Sequence, residues 1–193
     1  MNYLKTILKS IYSPAKTFEK LADSNNSIKY GWLTVIIFSL LYTLTVYSFH
    51  VKELVPLLKY FLPVERDRYY YYQSFITFPV TIIGVVINYQ MIKSLLKKYA
   101  ISFDYKKLWG PISIASILPS FFILWFVETI LIVTFNWNHF TFDIIRITFG
   151  IGWTVFLTVK SLQVIEKIKK NQSIVIGVIS SLTMLLWWGL FFR

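Results

Sequence analysis

Residues 31–49 read GWLTVIIFSLLYTLTVYSF, nineteen positions without a charged side chain, bounded by Lys29 and Lys52. A helix rises about 1.5 Å per residue, so about 20 apolar residues cross the ~30 Å hydrocarbon layer of a bilayer. Four further charge-free runs follow at 69–92, 108–127, 147–159 and 171–192. The run at 147–159 is short, but residues 142–146 extend it on one side and Lys160 can snorkel on the other. The pattern predicts an all-α integral membrane five-helix bundle formed by one domain over 1–193. Its spans are expected at about 31–49, 72–92, 111–134, 143–161 and 172–192.

The basic residues fall unevenly into the gaps. If each run crosses the bilayer, one side carries Lys5, Lys9, Lys16, Lys20 and Lys29, then Lys93, Lys97, Lys98, Lys106 and Lys107, then Lys160, Lys167, Lys169 and Lys170. The other side carries Lys52, Lys59, Arg66, Arg68 and Arg193. That asymmetry predicts a cytoplasmic N-terminus and an outer C-terminus, with a prokaryotic plasma membrane as the expected location. It also accounts for the net charge of +11 without a nucleic-acid partner. The expected partners are the bilayer, its anionic lipids, and a membrane protein or a second copy of the chain. Lys5, Lys9, Lys16, Lys97, Lys98, Lys106 and Lys107 are the expected contacts to anionic lipid. The first thirty residues show no short apolar core followed by a small-residue cleavage site, so the first span reads as an uncleaved anchor.

Ahead of it, Leu4, Ile7, Leu8 and Ile11 recur at helical spacing, with Lys5, Lys9 and Ser10 opposite. This predicts an amphipathic helix lying in the cytoplasmic interface. Ser13 can cap a second helix with Pro14 in its first turn, running to about Ala22, and 23–27 form a polar turn. On the outer side, Tyr69, Tyr70, Tyr71 and Tyr72 read as an interfacial aromatic belt. The short gap at 135–142 predicts that the third and fourth spans are antiparallel neighbours.

Glu128 lies inside the third span, where a carboxylate costs about 3 kcal/mol on insertion scales and needs a partner. Measured from a turn near Asn138, Arg146 lies at a similar depth, which predicts a buried Glu128–Arg146 ion pair. Pro79 and Pro119 are expected to kink the second and third spans. Ser116 with Ser120, Gly150 with Gly152, and Gly177 with Ser181 offer small surfaces for close helix approach, and Asn88 and Gln90 offer interhelical hydrogen bonds. Catalytic chemistry finds no foothold. There is no cysteine, the two histidines His50 and His139 stand apart, and no nucleophile elbow, phosphate loop, dinucleotide fingerprint or zincin motif occurs. The sequence predicts neither an enzyme nor a cofactor.

Several short motifs resemble one family. Ser13-Pro14-Ala15-Lys16-Thr17-Phe18-Glu19-Lys20-Leu21 precedes the first span. Leu108-Trp109-Gly110-Pro111 and Ile117-Leu118-Pro119 mark the third, Trp153 the fourth, and a basic turn at 167–171 leads into the fifth. Together they resemble the prokaryotic Yip-domain proteins, five-span relatives of the Ypt/Rab-interacting proteins. The resemblance implies a non-enzymatic membrane-organising or partner-recruiting scaffold. Eukaryotic members are implied in vesicle traffic and Rab contact through a longer cytosolic region, so no Rab-binding residue carries over. The alternative is a small transporter or lipid-handling permease built on Glu128 and the two prolines.

Overall fold

The computed structural model describes residues 2–56, 63–101, 103–127, 130, 135, 140–165 and 168–191, with the backbone alone for 121, 124, 125, 140–143, 145 and 146. Among the described residues there are seven α-helices: α1 Tyr3–Tyr12, α2 Pro14–Ala22, α3 Ser27–Val51, α4 Tyr69–Lys98, α5 Tyr105–Ser120, α6 Phe140–Leu162 and α7 Lys170–Phe191. A 3₁₀ turn, Arg66–Arg68, leads into α4, and α5 continues as a π-helical stretch, Phe121–Val127. Among the described residues there is no strand. Among the described residues, three segments are long and apolar enough to cross a membrane: Ser27–Val51, Arg66–Lys98 and Lys170–Phe191. The apolar part of α6, Ile147–Leu162, is shorter.

Helix α5 is the axis. Every residue from Leu108 to Ser120 is buried, because α3, α4 and α6 flank it and α1 and α2 close over it. Helix α7 completes the bundle between α4 and α6. The interior is unusual in kind. Its buried polar residues are serines, threonines, Gln73 and Asn88, and among the described residues none carries a charge. Large apolar side chains such as Leu40 and Leu44 of α3, Phe75 of α4, Phe149 of α6 and Leu186 of α7 face outward. Water would penalise that arrangement; a lipid surround favours it, since small residues let helices approach and apolar ones meet acyl chains.

Most of the buried hydroxyls are satisfied within their own helices, while those of Ser113, Thr158 and Ser181 have no partner among the described residues. Ser39 donates to the Val35 carbonyl at 2.7 Å, Thr77 to Gln73 at 2.7 Å and Thr81 to Thr77 at 2.8 Å. Between helices, the Asn88 amide donates to Ser116 Oγ at 2.8 Å. Gly177 brings α7 onto α6: a Cβ there would stand 2.6 Å from Val159 Cγ2. Gly152 has nothing within 4 Å, and Gln90 is exposed, so neither serves the close contact that the sequence suggested. Tyr69 is not a surface belt residue either. It is fully buried and its hydroxyl donates to the Phe191 carbonyl at 2.7 Å, while Tyr71 and Tyr72 are exposed.

Pro79 lies within α4, whose helix runs on through it. Pro119 precedes the place where α5 passes into the π-helical stretch, a common response when a proline removes a ladder bond. Glu128 lies outside the described residues. Arg146 falls within α6 with its side chain likewise outside the description.

Candidate functional site at the lysine-rich end

The helix ends sort into two groups. Tyr69 with Phe191 ties the start of α4 to the end of α7 at one end. At the other, Ser27 Oγ donates to the Lys107 carbonyl at 3.2 Å and the Tyr89 hydroxyl to the Tyr105 carbonyl at 2.9 Å. Ile165, beyond α6, joins Leu96, Ile101 and Leu108 in one apolar cluster there. The starts of α3 and α5, the end of α4 and the α6–α7 connection therefore meet. Lys29, Lys97, Lys98, Lys106, Lys107, Lys169 and Lys170 are gathered at that end.

Helices α1 and α2 form a hairpin docked on this end. Phe18 and Leu21 of α2 are fully buried against Tyr30, Ile114, Leu118 and Leu157. Each residue type suits its place: Pro14 occupies the first turn, where its missing N–H costs nothing, and Phe18 and Leu21 lie one turn apart on one face. Ser13 makes no side-chain cap; its carbonyl instead accepts from Thr17 Oγ1 at 2.7 Å.

The periodicity of α1 left open which face meets the protein, and the structure decides it. Thr6 and Ser10 are fully buried, their hydroxyls closed on the Asn2 and Thr6 carbonyls, both at 2.9 Å. Tyr3 reaches Thr34 of α3 at 3.1 Å and meets Tyr30 edge-on. Burial raises the Tyr3 pKa above its usual 10.0, and the Thr34 hydrogen bond opposes that shift. Leu4, Leu8 and Tyr12 point away, 69%, 56% and 72% exposed, beside Lys5 and Lys9. Small hydroxyl residues permit the close approach, and the ridge of larger apolar groups is left over for another apolar phase.

Between α2, the start of α5 and the α6–α7 connection lies a cleft of about 420 Å³. Ala15, Lys16, Glu19, Ala22 and Asp23 form its α2 wall, Phe103 and Lys107 another, and Gln163, Val164 and Ile165 the third. Lys107 Nζ and Asp23 Oδ1 are 3.7 Å apart across the mouth, an exposed pair of little energetic weight. Of the expected lipid-contact lysines, the structure brings Lys16 and Lys107 together here. Lys97 and Lys98 stand exposed at the end of α4, and Lys106 is exposed at the start of α5. Lys5 and Lys9 lie on α1. The cleft itself was not legible in sequence, although Lys16 and Glu19 sit in the serine-proline motif and Lys107 precedes the tryptophan-glycine one.

That second motif has a structural task. Trp109 packs on Trp32 with ring centroids 4.6 Å apart and on Tyr89 at 5.2 Å. Gly110 lets α5 meet α3: a Cβ there would be 2.5 Å from the Ser27 carbonyl oxygen. Among the described residues, no three His, Cys, Asp or Glu side chains come together to hold a metal ion. Compared with known proteins, the chain matches no family model, no curated protein and no solved structure.

Proposed function

We propose that the chain is a five-span, Yip-like membrane protein without enzymatic activity, set in a prokaryotic plasma membrane with its lysine-rich end in the cytoplasm. There it organises the membrane or recruits a protein partner. In this reading α5 with its π-helical continuation, and α6, cross the bilayer beside α3, α4 and α7. The observation that carries it is the outward ridge of Leu4, Leu8 and Tyr12 beside Lys5 and Lys9, on a helix already docked to the bundle. Such a helix presents apolar groups to acyl chains and ammonium groups to anionic headgroups. The Yip-like assignment itself rests on the short motifs around Pro14, Trp109 and Pro119.

The absence of cysteine makes a clean test available. A fluorophore on Leu8→Cys in proteoliposomes is expected to be quenched by shallow lipid-borne spin labels, whereas one on Asn25→Cys is quenched by a water-soluble agent. Equal water exposure at both positions would remove the membrane-facing role of α1. A transport reading draws on Gln73, fully buried in α4 with both amide atoms unpartnered. Flux of an ion or lipid headgroup into proteoliposomes, abolished by Glu128→Gln, would replace the scaffold reading with that one.

A further inference from the structure

The cleft beside α2 carries charge in an order that the scaffold reading does not use. Lys16 stands in the first turn of α2, at the partially positive end of the helix; Pro14 there has no N–H and the Thr17 N–H is bonded to the Ser13 carbonyl, so the lysine ammonium is the group offered to an anion. Glu19 follows three residues on, about 4.5 Å along the axis, and Asp23 caps the far end beside Lys107. Both lysines, both carboxylates and Gln163 line one opening with Phe103, Val164, Ile165 and Ala22. A site for a simple anion has no need of two carboxylates, and a site for a simple cation has no need of two lysines. The alternation fits a zwitterion whose phosphate lies at Lys16 and the helix N-terminus and whose ammonium lies at Glu19. The Lys16–Glu19 offset approximates the short ethyl bridge between those groups in an aminoethyl phosphate.

We propose that this cleft binds the headgroup of an aminophospholipid, phosphatidylethanolamine in chemical class. The volume of about 420 Å³ lies within the range of small-molecule sites. The proposal rests on the reading of α1 as membrane-facing, because that puts the neighbouring cleft at headgroup level. Lys16 holds the phosphate, Glu19 accepts from the primary ammonium, and Asp23 with Lys107 stands at the mouth. The apolar wall of Phe103, Val164 and Ile165 meets the glycerol and first acyl carbons.

The full chain carrying a fluorophore on Gln163→Cys, in phosphatidylcholine nanodiscs with increasing phosphatidylethanolamine, tests this. A saturable response is expected, about tenfold weaker for phosphatidylglycerol and for Lys16→Gln or Glu19→Gln, and unchanged by Lys52→Gln at the opposite end of the bundle. Lys16 and Glu19 are exposed, so their variants are expected to fold, and thermal unfolding checks that. Equal response to phosphatidylglycerol with no effect of Glu19→Gln reduces the cleft to an anion site and overturns the proposal. So does competition by millimolar inorganic phosphate, which marks a site for free phosphate. No response at Gln163→Cys while Leu8→Cys still inserts sinks the cleft alone; loss of both sinks the membrane-facing reading as well.

Discussion

At the scale of single residues, the interior is built on small polar side chains, most of which close on their own backbone. Glycines matter where another helix reaches the backbone and nowhere else. Gly110→Ala drives a methyl onto the Ser27 carbonyl, with an expected loss of about 1–3 kcal/mol. Gly152→Ala meets nothing within 4 Å and is expected to be neutral or slightly stabilising, since it restrains the unfolded chain. Thermal unfolding in detergent separates the two. Tyr3 supplies a pH signature. Its folded pKa is raised by burial, so its contribution to docking is fully present below the unfolded value near pH 10 and lost as pH climbs through the folded value. Wild type is therefore expected to release α1 in strong alkali more steeply than Tyr3→Phe, as read by proteolysis at Lys9. The sequence named Asn88 and Gly177 as contact residues, and both make interhelical contacts. It could not tell them from Gln90 and Gly152, because a small or polar residue acts only if a neighbour lies opposite.

At the scale of elements, periodicity located α1 but left open which of its faces meets the bundle. Leu4, Ile7, Leu8 and Ile11 mark one apolar stripe; the bundle receives Tyr3, Thr6, Ile7, Ser10 and Ile11, while Leu4 and Leu8 stay outside. In water the apolar stripe would be the buried one. Beside a bilayer, lipid and protein interior are equally apolar, so close fit decides which face meets the bundle. Thr6→Leu is accordingly expected to undock the hairpin, through overpacking of about 1–3 kcal/mol. Leu8→Ser leaves the hairpin docked in detergent and weakens only its hold on lipid. Limited trypsin digestion reads the first effect and spin-label quenching the second.

At the scale of the molecule, the gathering of lysines at one end makes a topological prediction. A membrane-impermeant amine reagent on intact cells is expected to label Lys52 and spare Lys97, Lys98 and Lys106 until the membrane is opened; the reverse pattern inverts the orientation. The sequence by itself determined the helical, membrane-embedded class and the division of charge between two ends, because span length and charge-free composition are local properties of the chain. Only the tertiary structure decided that α5 is the buried axis, that α1 turns its leucines outward, and that Lys16, Glu19, Lys107 and Gln163 share one cleft. Those outcomes depend on which helix surfaces can approach closely, and the approach is set by pairs far apart in the chain, such as Gly110 with Ser27 and Phe18 with Leu157.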